Sequence, residues 1–255
     1  MGLWTMTHFW AIVPVFIVFA GIAYLLARFL KNKGENVKYI PLKVIALIII
    51  GLEIAKQTVS ICRGYDLYHL PFHYCSLFLY LLPVHAFSKG KVKRFFDAIT
   101  FGCCASLVLF LMIMPTVVYS DTAILEFFEE FFSFHTLAFH HLVVLYFFIA
   151  VALDTFTLDM KKDFKSLAIA LSAYVALAIV LSYTLEVNFQ NLRTCNLGIG
   201  EEIRVAINGA LGWFGQALYV FVLFALTTLF AFLSYYLAHL FNTRVLKRGA
   251  KEKVS

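Results

Sequence analysis

Seven apolar stretches divide the chain, and each is about as long as a helix that crosses a bilayer. Such a helix needs about 20 apolar residues. A backbone inside hydrocarbon must satisfy its own hydrogen bonds, and an α-helix does so within one segment. The sequence therefore predicts an all-α polytopic membrane protein, a single seven-transmembrane-helix bundle over residues 1–255. The stretches fall at residues 8–30, 40–61, 69–87, 95–119, 132–153, 164–184 and 210–241.

Composition agrees with this class. Hydrophobic residues make up 62% of the chain and charged residues 14%, whereas soluble domains are about a quarter charged. The first stretch lacks a preceding basic region and a small-residue cleavage site, so we interpret it as a retained helix. Of the five cysteines, Cys62 and Cys195 fall near the same predicted surface and could pair there. Neither a metal nor a cofactor is predicted.

Lysine and arginine concentrate in alternate loops, and this bias predicts which side of the membrane each loop occupies. The N-terminus is predicted outside and the C-terminus inside, in a multi-pass protein of the cell membrane. The net charge of +6 is then a collar that meets anionic lipid head groups, not nucleic acid. The basic residues of the predicted inner side are Arg28, Lys31, Lys33, Lys38, Lys43, Lys89, Lys91, Lys93, Arg94, Lys161, Lys162, Lys165, Arg244, Lys247, Arg248, Lys251 and Lys253.

The second stretch, "GLEIAKQTVS", carries four polar residues at helical spacing. Glu53, Lys56, Gln57 and Ser60 follow i, i+3, i+4, i+7 and share one face. An ionisable side chain in lipid costs about 2.5–3.5 kcal/mol, so the face should turn into the bundle. Glu53 and Lys56 can neutralise each other across one turn. The pair is either a packing device or the wall of a functional site.

The third stretch, "LYHLPFHYCSLFLYLLPVH", shows the same pattern if it is one helix. His69, His73, Ser76 and Tyr80 then share a face, which we predict lines a cavity in the outer half of the membrane. Cys75 would point about 200° away from His73 and pack against a neighbouring helix. An imidazole in this position suits proton transfer.

Two further segments place polar groups at the same predicted depth. In the fifth stretch, "FFSFHTLAFHHLVVLY", His140 shares a face with Thr136, while His141 points about 100° away, so only one of the two histidines should face a narrow site. The segment "EVNFQNL" after the sixth stretch adds Asn188 and Asn191 on the same side. Convergence of this kind is typical of a binding or catalytic site.

Taken in this order, "GLEIAKQTVS", "LPFHYC", the histidine pair and "EVNFQNL" resemble YwaF-like bacterial integral membrane proteins over about residues 45–195. That family is related to transmembrane protein 164, regarded as a phospholipid acyltransferase. The resemblance implies site roles for Glu53, His73, Asn188 and one residue of the histidine pair. The vertebrate motif has a cysteine directly before its histidine, where this chain has Phe72, and the bacterial motif has one two residues after it, here Cys75. The segment "GALGWFGQ" stands where an aromatic Gly-Pro-Trp segment is expected.

The leading hypothesis is an enzyme that transfers or hydrolyses the acyl group of a membrane lipid. His73 would be the general base, His140 or His141 a second acid or base, and Asn188 an oxyanion donor. The nucleophile would be Cys75 or, as the helical geometry favours, a lipid hydroxyl activated directly. Substrate contacts are predicted from a binding set that contains Glu53, Lys56, Gln57, His69, Ser76, Tyr80 and Asn191.

Three alternatives stay open on the sequence. A proton-coupled transporter of small solutes would use Glu53, Lys56 and the histidines as a relay. A non-catalytic lipid-binding protein would use the same polar surface. A zinc site would combine His73, a histidine of the fifth stretch and His8, although no H-E-x-x-H motif occurs.

Overall fold

Helices account for all the regular structure in the described part of the chain. The structure is a computed structural model that describes residues 4–196 and 198–246, without the side chains of Val117, Val245 and Leu246. Short 3₁₀ turns occur at Leu67–His69 and Phe189–Asn191, and a π turn at Asn242–Leu246. The α-helices are α1 (Met6–Leu30), α2 (Glu35–Lys38), α3 (Ile40–Cys62), α4 (Leu77–Phe87), α5 (Gly90–Ile113), α6 (Pro115–Val118), α7 (Asp121–Leu125), α8 (Phe131–Ala152), α9 (Met160–Thr184), α10 (Gly198–Leu211) and α11 (Trp213–Phe241).

Five of the described helices are long and apolar enough to cross a membrane: α1, α5, α8, α9 and α11. Their lengths run from 22 residues in α8 to the 32-residue segment Trp213–Arg244 that continues α11. Helix α3 has 23 residues but carries Lys43, Glu53 and Lys56. Helix α4 is apolar but has only 11 residues. A multi-pass membrane protein is therefore confirmed at this coarser level.

The centre of the bundle is formed by α5 and α8. Helix α5 contacts α4, α8, α9 and α11, and α8 contacts α1, α3 and α7. In the apolar windows of α5 and α8, 61% and 56% of residues are buried, against 11% in α1 and 17% in α11. The outer helices thus present apolar side chains to their surroundings, as lipid-facing helices do.

The third apolar stretch is the main correction to the predicted helices. Its helix begins at Leu77 and not at residue 69, and residues 63–76 form a loop with one 3₁₀ turn. Proline disfavours helical geometry in the residue before it, and Leu70, which precedes Pro71, is extended with ψ 140°. Asp66 caps the 3₁₀ turn by accepting a hydrogen bond from the Tyr68 amide at 2.8 Å. We call residues 63–76 the His69 loop.

Other helix boundaries agree or differ for identifiable reasons. Helices α1, α3, α8 and α9 coincide with their predicted stretches within a few residues. The predicted helix 95–119 is interrupted at Met114, before Pro115, where α6 begins. The last predicted helix, 210–241, starts only after Gly212, whose φ of +58° separates it from an additional helix, α10. Lys247, Arg248, Lys251 and Lys253 of the predicted basic tail lie outside the described residues.

Buried charged groups join the helices at the lysine-rich end. On α9, Asp163 is fully buried. It binds Arg94 Nη2 of α5 at 2.6 Å and accepts a hydrogen bond from the Tyr235 hydroxyl of α11 at 2.5 Å. Nearby, Lys93 Nζ lies 2.8 Å from both carboxylate oxygens of Asp97. These contacts join α9 and α11 to α5.

Candidate functional site

The centre of the candidate site is the carboxylate of Glu53, whose side chain is 9% exposed. Its Oε1 accepts a hydrogen bond from Gln57 Nε2 at 2.7 Å and lies 2.8 Å from Lys56 Nζ. Its Oε2 faces His135 Nε2 of α8 at 3.6 Å. The predicted Glu53–Lys56 pair is therefore confirmed. The carboxylate is shared by one ammonium, one imidazole and one amide, which offsets the cost of burying it.

The His69 loop closes over this carboxylate. Gln57 Nε2 also donates to the His69 carbonyl at 2.7 Å, and Ser60 Oγ lies 2.7 Å from His69 Nδ1. The His69 ring stacks on Phe132 of α8, with ring centroids 4.4 Å apart. Helix α3, the loop and α8 thus meet at one buried polar group. We call the set the Glu53 cluster: Glu53, Lys56, Gln57, Ser60, His69 and His135.

His73 lies beside the cluster but is not hydrogen-bonded to it. Its Nε2 lies 3.0 Å from the Tyr68 carbonyl, and its ring packs against Phe189 with centroids 5.3 Å apart. Its own carbonyl accepts a hydrogen bond from the Tyr174 hydroxyl at 2.9 Å. Burial lowers the pKa of His73, and the positive charge of Lys56 acts in the same direction. Among the described residues, no hydrogen bond joins the His73 ring to the polar face of α3.

The predicted helical face of His69, His73, Ser76 and Tyr80 is wrong, because residues 69–76 are not in an α-helix. Tyr80 is 42% exposed, and its hydroxyl donates to the Pro71 carbonyl at 3.3 Å. Ser76 is buried at the cap position of α4, where its side chain makes no capping hydrogen bond. Angles taken from a helical wheel do not apply to this segment.

The same correction changes the position of Cys75. We expected its thiol to point away from the polar face, and that expectation rested on the helix that residues 69–76 do not form. In the loop, Cys75 is half-buried, and burial raises the pKa of its thiol although the positive charge of Lys56 acts to lower it. Lys56 therefore acts electrostatically on both the Cys75 thiol and the His73 imidazole.

Neither histidine of the predicted pair contacts the Glu53 cluster through a hydrogen bond. His140 is buried, and its Nδ1 donates to the Thr136 carbonyl of its own helix at 2.7 Å. The ring of His141 sits between α8 and α1, with Nε2 3.2 Å from the Ala11 carbonyl. The α8 histidine that faces Glu53 is His135, which the prediction did not include.

Sequence reasoning missed His135, and depth along the helices does not single it out. His135 lies four residues inside α8, about 6 Å from its start, whereas Glu53 lies nine residues, about 14 Å, from the end of α3. The Nε2 of His135 has no hydrogen-bond partner within the described structure, because its 3.6 Å contact with Glu53 is longer than a hydrogen bond.

The predicted Asn188 and Asn191 organise their own loop. The Asn188 amide donates to the Thr194 hydroxyl and carbonyl at 2.8 and 3.1 Å. Its oxygen accepts from the backbone amides of Arg193 and Thr194 at 2.9 and 3.2 Å. The Asn191 carbonyl accepts from the Tyr219 hydroxyl at 2.7 Å. These hydrogen bonds use the N–H groups of the Asn188 amide, so none is free to stabilise an oxyanion as predicted.

A second missed residue, Gln190, joins that loop to the His69 loop. Its Nε2 donates to the Phe72 carbonyl at 3.0 Å, next to His73. Its Oε1 is buried and has no hydrogen-bond partner among the described residues. A φ of +53° holds this glutamine in a conformation that non-glycine residues seldom adopt. The signal in the sequence was its place inside "EVNFQNL", between the two asparagines that we selected.

Two further expectations can be compared with the geometry. Cys62 and Cys195 are both free thiols, so the pairing that we considered is not formed. Within residues 4–196 and 198–246, no group of three or more histidine, cysteine, aspartate or glutamate side chains is arranged to hold a metal ion. Two of the residues considered for a zinc site bind different backbone carbonyls: His8 bonds to the Tyr119 carbonyl at 2.9 Å, and His73 to the Tyr68 carbonyl.

Apolar helices around a buried cluster of charged and imidazole side chains define a multi-pass membrane protein with a polar cluster in its interior. A sequence model of the TMEM164 family matches residues 3–236 of this chain, and the chain therefore belongs to the TMEM164 family. The relationship inferred from the motifs is confirmed at this level, and the YwaF-like designation stays a prediction. No curated protein and no solved structure matches the chain.

Proposed function

We propose that this protein transfers the acyl group of a membrane lipid, with Cys75 as the residue that carries it. The observation behind the proposal is the position of Lys56. Glu53 binds its ammonium at 2.8 Å, and Lys56 interacts electrostatically with both Cys75 and His73. Burial raises the pKa of the Cys75 thiol, and the Lys56 cation acts in the opposite direction, toward the thiolate that is the reactive form of cysteine.

The hydrogen bond of His73 defines which of its nitrogens can act as the base. A carbonyl oxygen only accepts, so the Nε2 that faces the Tyr68 carbonyl carries the proton. Nδ1 is then left with a lone pair in the neutral ring. This nitrogen is the one that would take the proton of the Cys75 thiol, as a general base does for a nucleophile.

The reaction then follows two balanced steps. In the first, the Cys75 thiolate attacks the ester carbonyl carbon of a lipid. The ester C–O bond breaks, and the leaving alkoxide takes the proton from the His73 imidazolium. A thioester is formed and a lysolipid or alcohol is released. In the second, a lipid hydroxyl loses its proton to His73 and attacks the thioester, and the thiolate leaves. Lys56 would balance the negative charge that develops in both steps.

A labelled-lipid experiment tests this function. The purified protein is incubated in mixed micelles with a phospholipid that carries an isotope-labelled acyl chain. The Cys75 peptide is then analysed by mass spectrometry for a hydroxylamine-sensitive acyl group. We expect the label on Cys75 in wild type and none in Cys75→Ala. Cys62→Ala is the matched control, because Cys62 is an exposed thiol at the end of α3. Acyl exchange that continues unchanged in Cys75→Ala would refute the cysteine mechanism.

The seven-span topology belongs to the same proposal. Helices α3 and α4 would join the five long apolar helices, with the N-terminus outside and the lysine-rich end inside. The Glu53 cluster would then lie in the outer half of the membrane, next to the ends of α3 and α8. Single cysteines introduced near Lys91 should be labelled only after the cell membrane is permeabilised. Labelling of intact cells at this position would overturn the orientation.

A second function, proton-coupled transport of a small solute, has support from one contact. The carboxylate of Glu53 lies between Lys56 and His135, two groups able to exchange a proton with it. Proteoliposomes with an internal pH dye would report proton movement when a solute is added. Proton flux in wild type that is lost in His135→Asn, together with absent acyl labelling of Cys75, would favour transport over acyl transfer.

A further inference from the structure

A cavity lies at the other end of α3 from the Glu53 cluster. It has a volume of about 360 Å³, within the range of about 300–1,000 Å³ that is usual for small-molecule sites. Lys43 on α3 marks its position, ten residues or about 15 Å along the helix from Glu53. The lining residues are Glu35, Asn36, Tyr39, Lys43, Ala86, Phe87, Ser88, Lys89, Gly90 and Lys93.

The charges around this cavity leave two lysines without a carboxylate partner. Lys93 is neutralised by the buried Asp97, at 2.8 Å, and Glu35 by Lys38, also at 2.8 Å. Lys43 and Lys89 form no ion pair within the described residues. The ammonium of Lys43 instead lies 5.5 Å from the centroid of the Phe87 ring, which also lines the cavity. The cavity therefore has an excess of positive charge at two positions.

Uncharged hydrogen-bond donors also line this cavity. The hydroxyl oxygen of Ser88 is buried and has no hydrogen-bond partner within the described structure. Helix α5 begins at Gly90, and no side chain caps its first amides or places a carboxylate in its first turn. The first amides of a 24-residue helix carry partial positive charge and attract anions. A Cβ at Gly90 would meet no atom within 4 Å, so this side of the helix start is open.

A neighbouring cavity shows that basic residues alone do not produce this arrangement. It has a volume of about 530 Å³ and lies on the other side of Gly90. Its Arg94 binds the buried Asp163 at 2.6 Å, and its Lys162 pairs with Asp159 at 3.3 Å. Most of its positive charge is thus compensated by the protein itself. The smaller cavity keeps its two lysines, its hydroxyl and its helix start available.

We propose that the cavity between α3, α4 and α5 binds a phosphate group. Lys43 and Lys89 would supply its counter-charge, and the Ser88 hydroxyl and the first amides of α5 would donate hydrogen bonds to its oxygens. Tyr39 and Phe87 would pack against the organic part of the ligand, which is either a phospholipid head group or a free phosphate compound. The site does not depend on the proposed acyl transfer, because it uses none of the residues of the Glu53 cluster.

Native mass spectrometry of the detergent-solubilised protein tests this site with two probes, short-chain phosphatidic acid and inorganic phosphate. The test variant is Lys43→Gln with Lys89→Gln. The matched control is Lys31→Gln with Lys33→Gln, which removes equal charge at exposed residues outside the cavity. At about a fivefold loss of affinity per lysine, we expect about a 25-fold loss in the test variant and less than about a twofold loss in the control.

The two probes separate the sources of the phosphate. Binding of phosphatidic acid alone assigns the cavity to a lipid head group, and binding of inorganic phosphate as well assigns it to phosphate in general. Equal affinity of the test and control variants, or absence of binding for both probes in wild type, would overturn the proposal. Unfolding temperatures are measured first without ligand. Lys89→Gln alone, at an exposed position, keeps the test valid if Lys43→Gln does not fold.

Discussion

His135 Nε2 lies 3.6 Å from Glu53 Oε2, and this contact joins α8 to α3 at the buried polar cluster. The other carboxylate oxygen binds Lys56 and Gln57. One side chain thus connects a histidine from another helix with an ammonium group that acts electrostatically on Cys75 and His73. Because a buried carboxylate needs partners on each oxygen, the cluster depends on Glu53 more than on any other member.

The first prediction concerns the dependence of Glu53 and Lys56 on each other. Glu53→Gln leaves the Lys56 ammonium buried without its carboxylate, which costs about 3–5 kcal/mol. We expect a lower unfolding temperature in detergent and a lower yield of folded protein. Adding Lys56→Met removes the stranded charge and should restore part of the loss. Equal loss in the single and the double variant would show that the two residues do not interact.

The second prediction separates the roles of two histidines on α8. His135→Asn removes an imidazole that faces Glu53, the carboxylate that positions Lys56, and we expect acyl transfer to fall by about 10²-fold through misplacement of Lys56. His141→Asn is the control, since His141 contacts the Ala11 carbonyl of α1 and no member of the cluster. It should lower the unfolding temperature and leave the turnover of the folded fraction unchanged. A larger loss of turnover in His141→Asn would contradict this division.

The third prediction assigns Asn188 to loop structure. Asn188→Asp keeps the oxygen that accepts from Arg193 and Thr194 and loses the two N–H donations to Thr194. We expect Asn188→Asp to retain more stability than Asn188→Ala, which loses all of these bonds at about 1 kcal/mol each. Both should alter the rate of acyl transfer less than His135→Asn. Complete loss of turnover in a stably folded Asn188→Asp would instead restore the oxyanion role.

The fourth prediction concerns the close approach of α10 to α11. A Cβ at Gly215 would lie 2.6 Å from the Ile207 carbonyl oxygen and 2.9 Å from the Asn208 Cα, both backbone atoms that cannot rotate away. Gly215→Ala should therefore displace α10 and cost about 1–3 kcal/mol, as overpacking does. Gly209→Ala, in α10 with no atom within 4 Å of its Cβ position, is the control and should not destabilise. Equal unfolding temperatures for the two variants would contradict the packing.

The fifth prediction is a pH dependence at the start of α10. Hydrogen bonds from the Arg204 guanidinium hold the pKa of Glu201 at about 2, below its usual 4.5. Because the pKa is lowered in the folded protein, the stabilisation is present above pH 4.5 and is lost as the pH falls through about 2. The Cys195 amide donates to the same carboxylate at 2.7 Å. The hydrogen-exchange protection of the Cys195 amide should be unchanged from pH 7 to pH 5 and absent in Glu201→Gln.

The sequence alone determined the class of protein and most of its long helices. Length and hydropathy identify a bilayer-spanning segment without reference to its neighbours, because the backbone of such a helix satisfies itself. For this reason α1, α3, α8 and α9 appear close to their predicted bounds. The Glu53–Lys56 contact was also predictable, since residues three apart on one helix are neighbours whatever surrounds them.

Only the tertiary structure decided which polar groups meet. A helical wheel placed Cys75 away from the site, but Pro71 and the extended Leu70 keep the His69 loop out of the helix. The choice of His135 over His140 depended on how α8 is rotated against α3 and α1, and rotation is set by side-chain packing among three helices. Sequence spacing determines which residues share a face of one helix. The way the helices pack against each other determines which partner a buried charge meets.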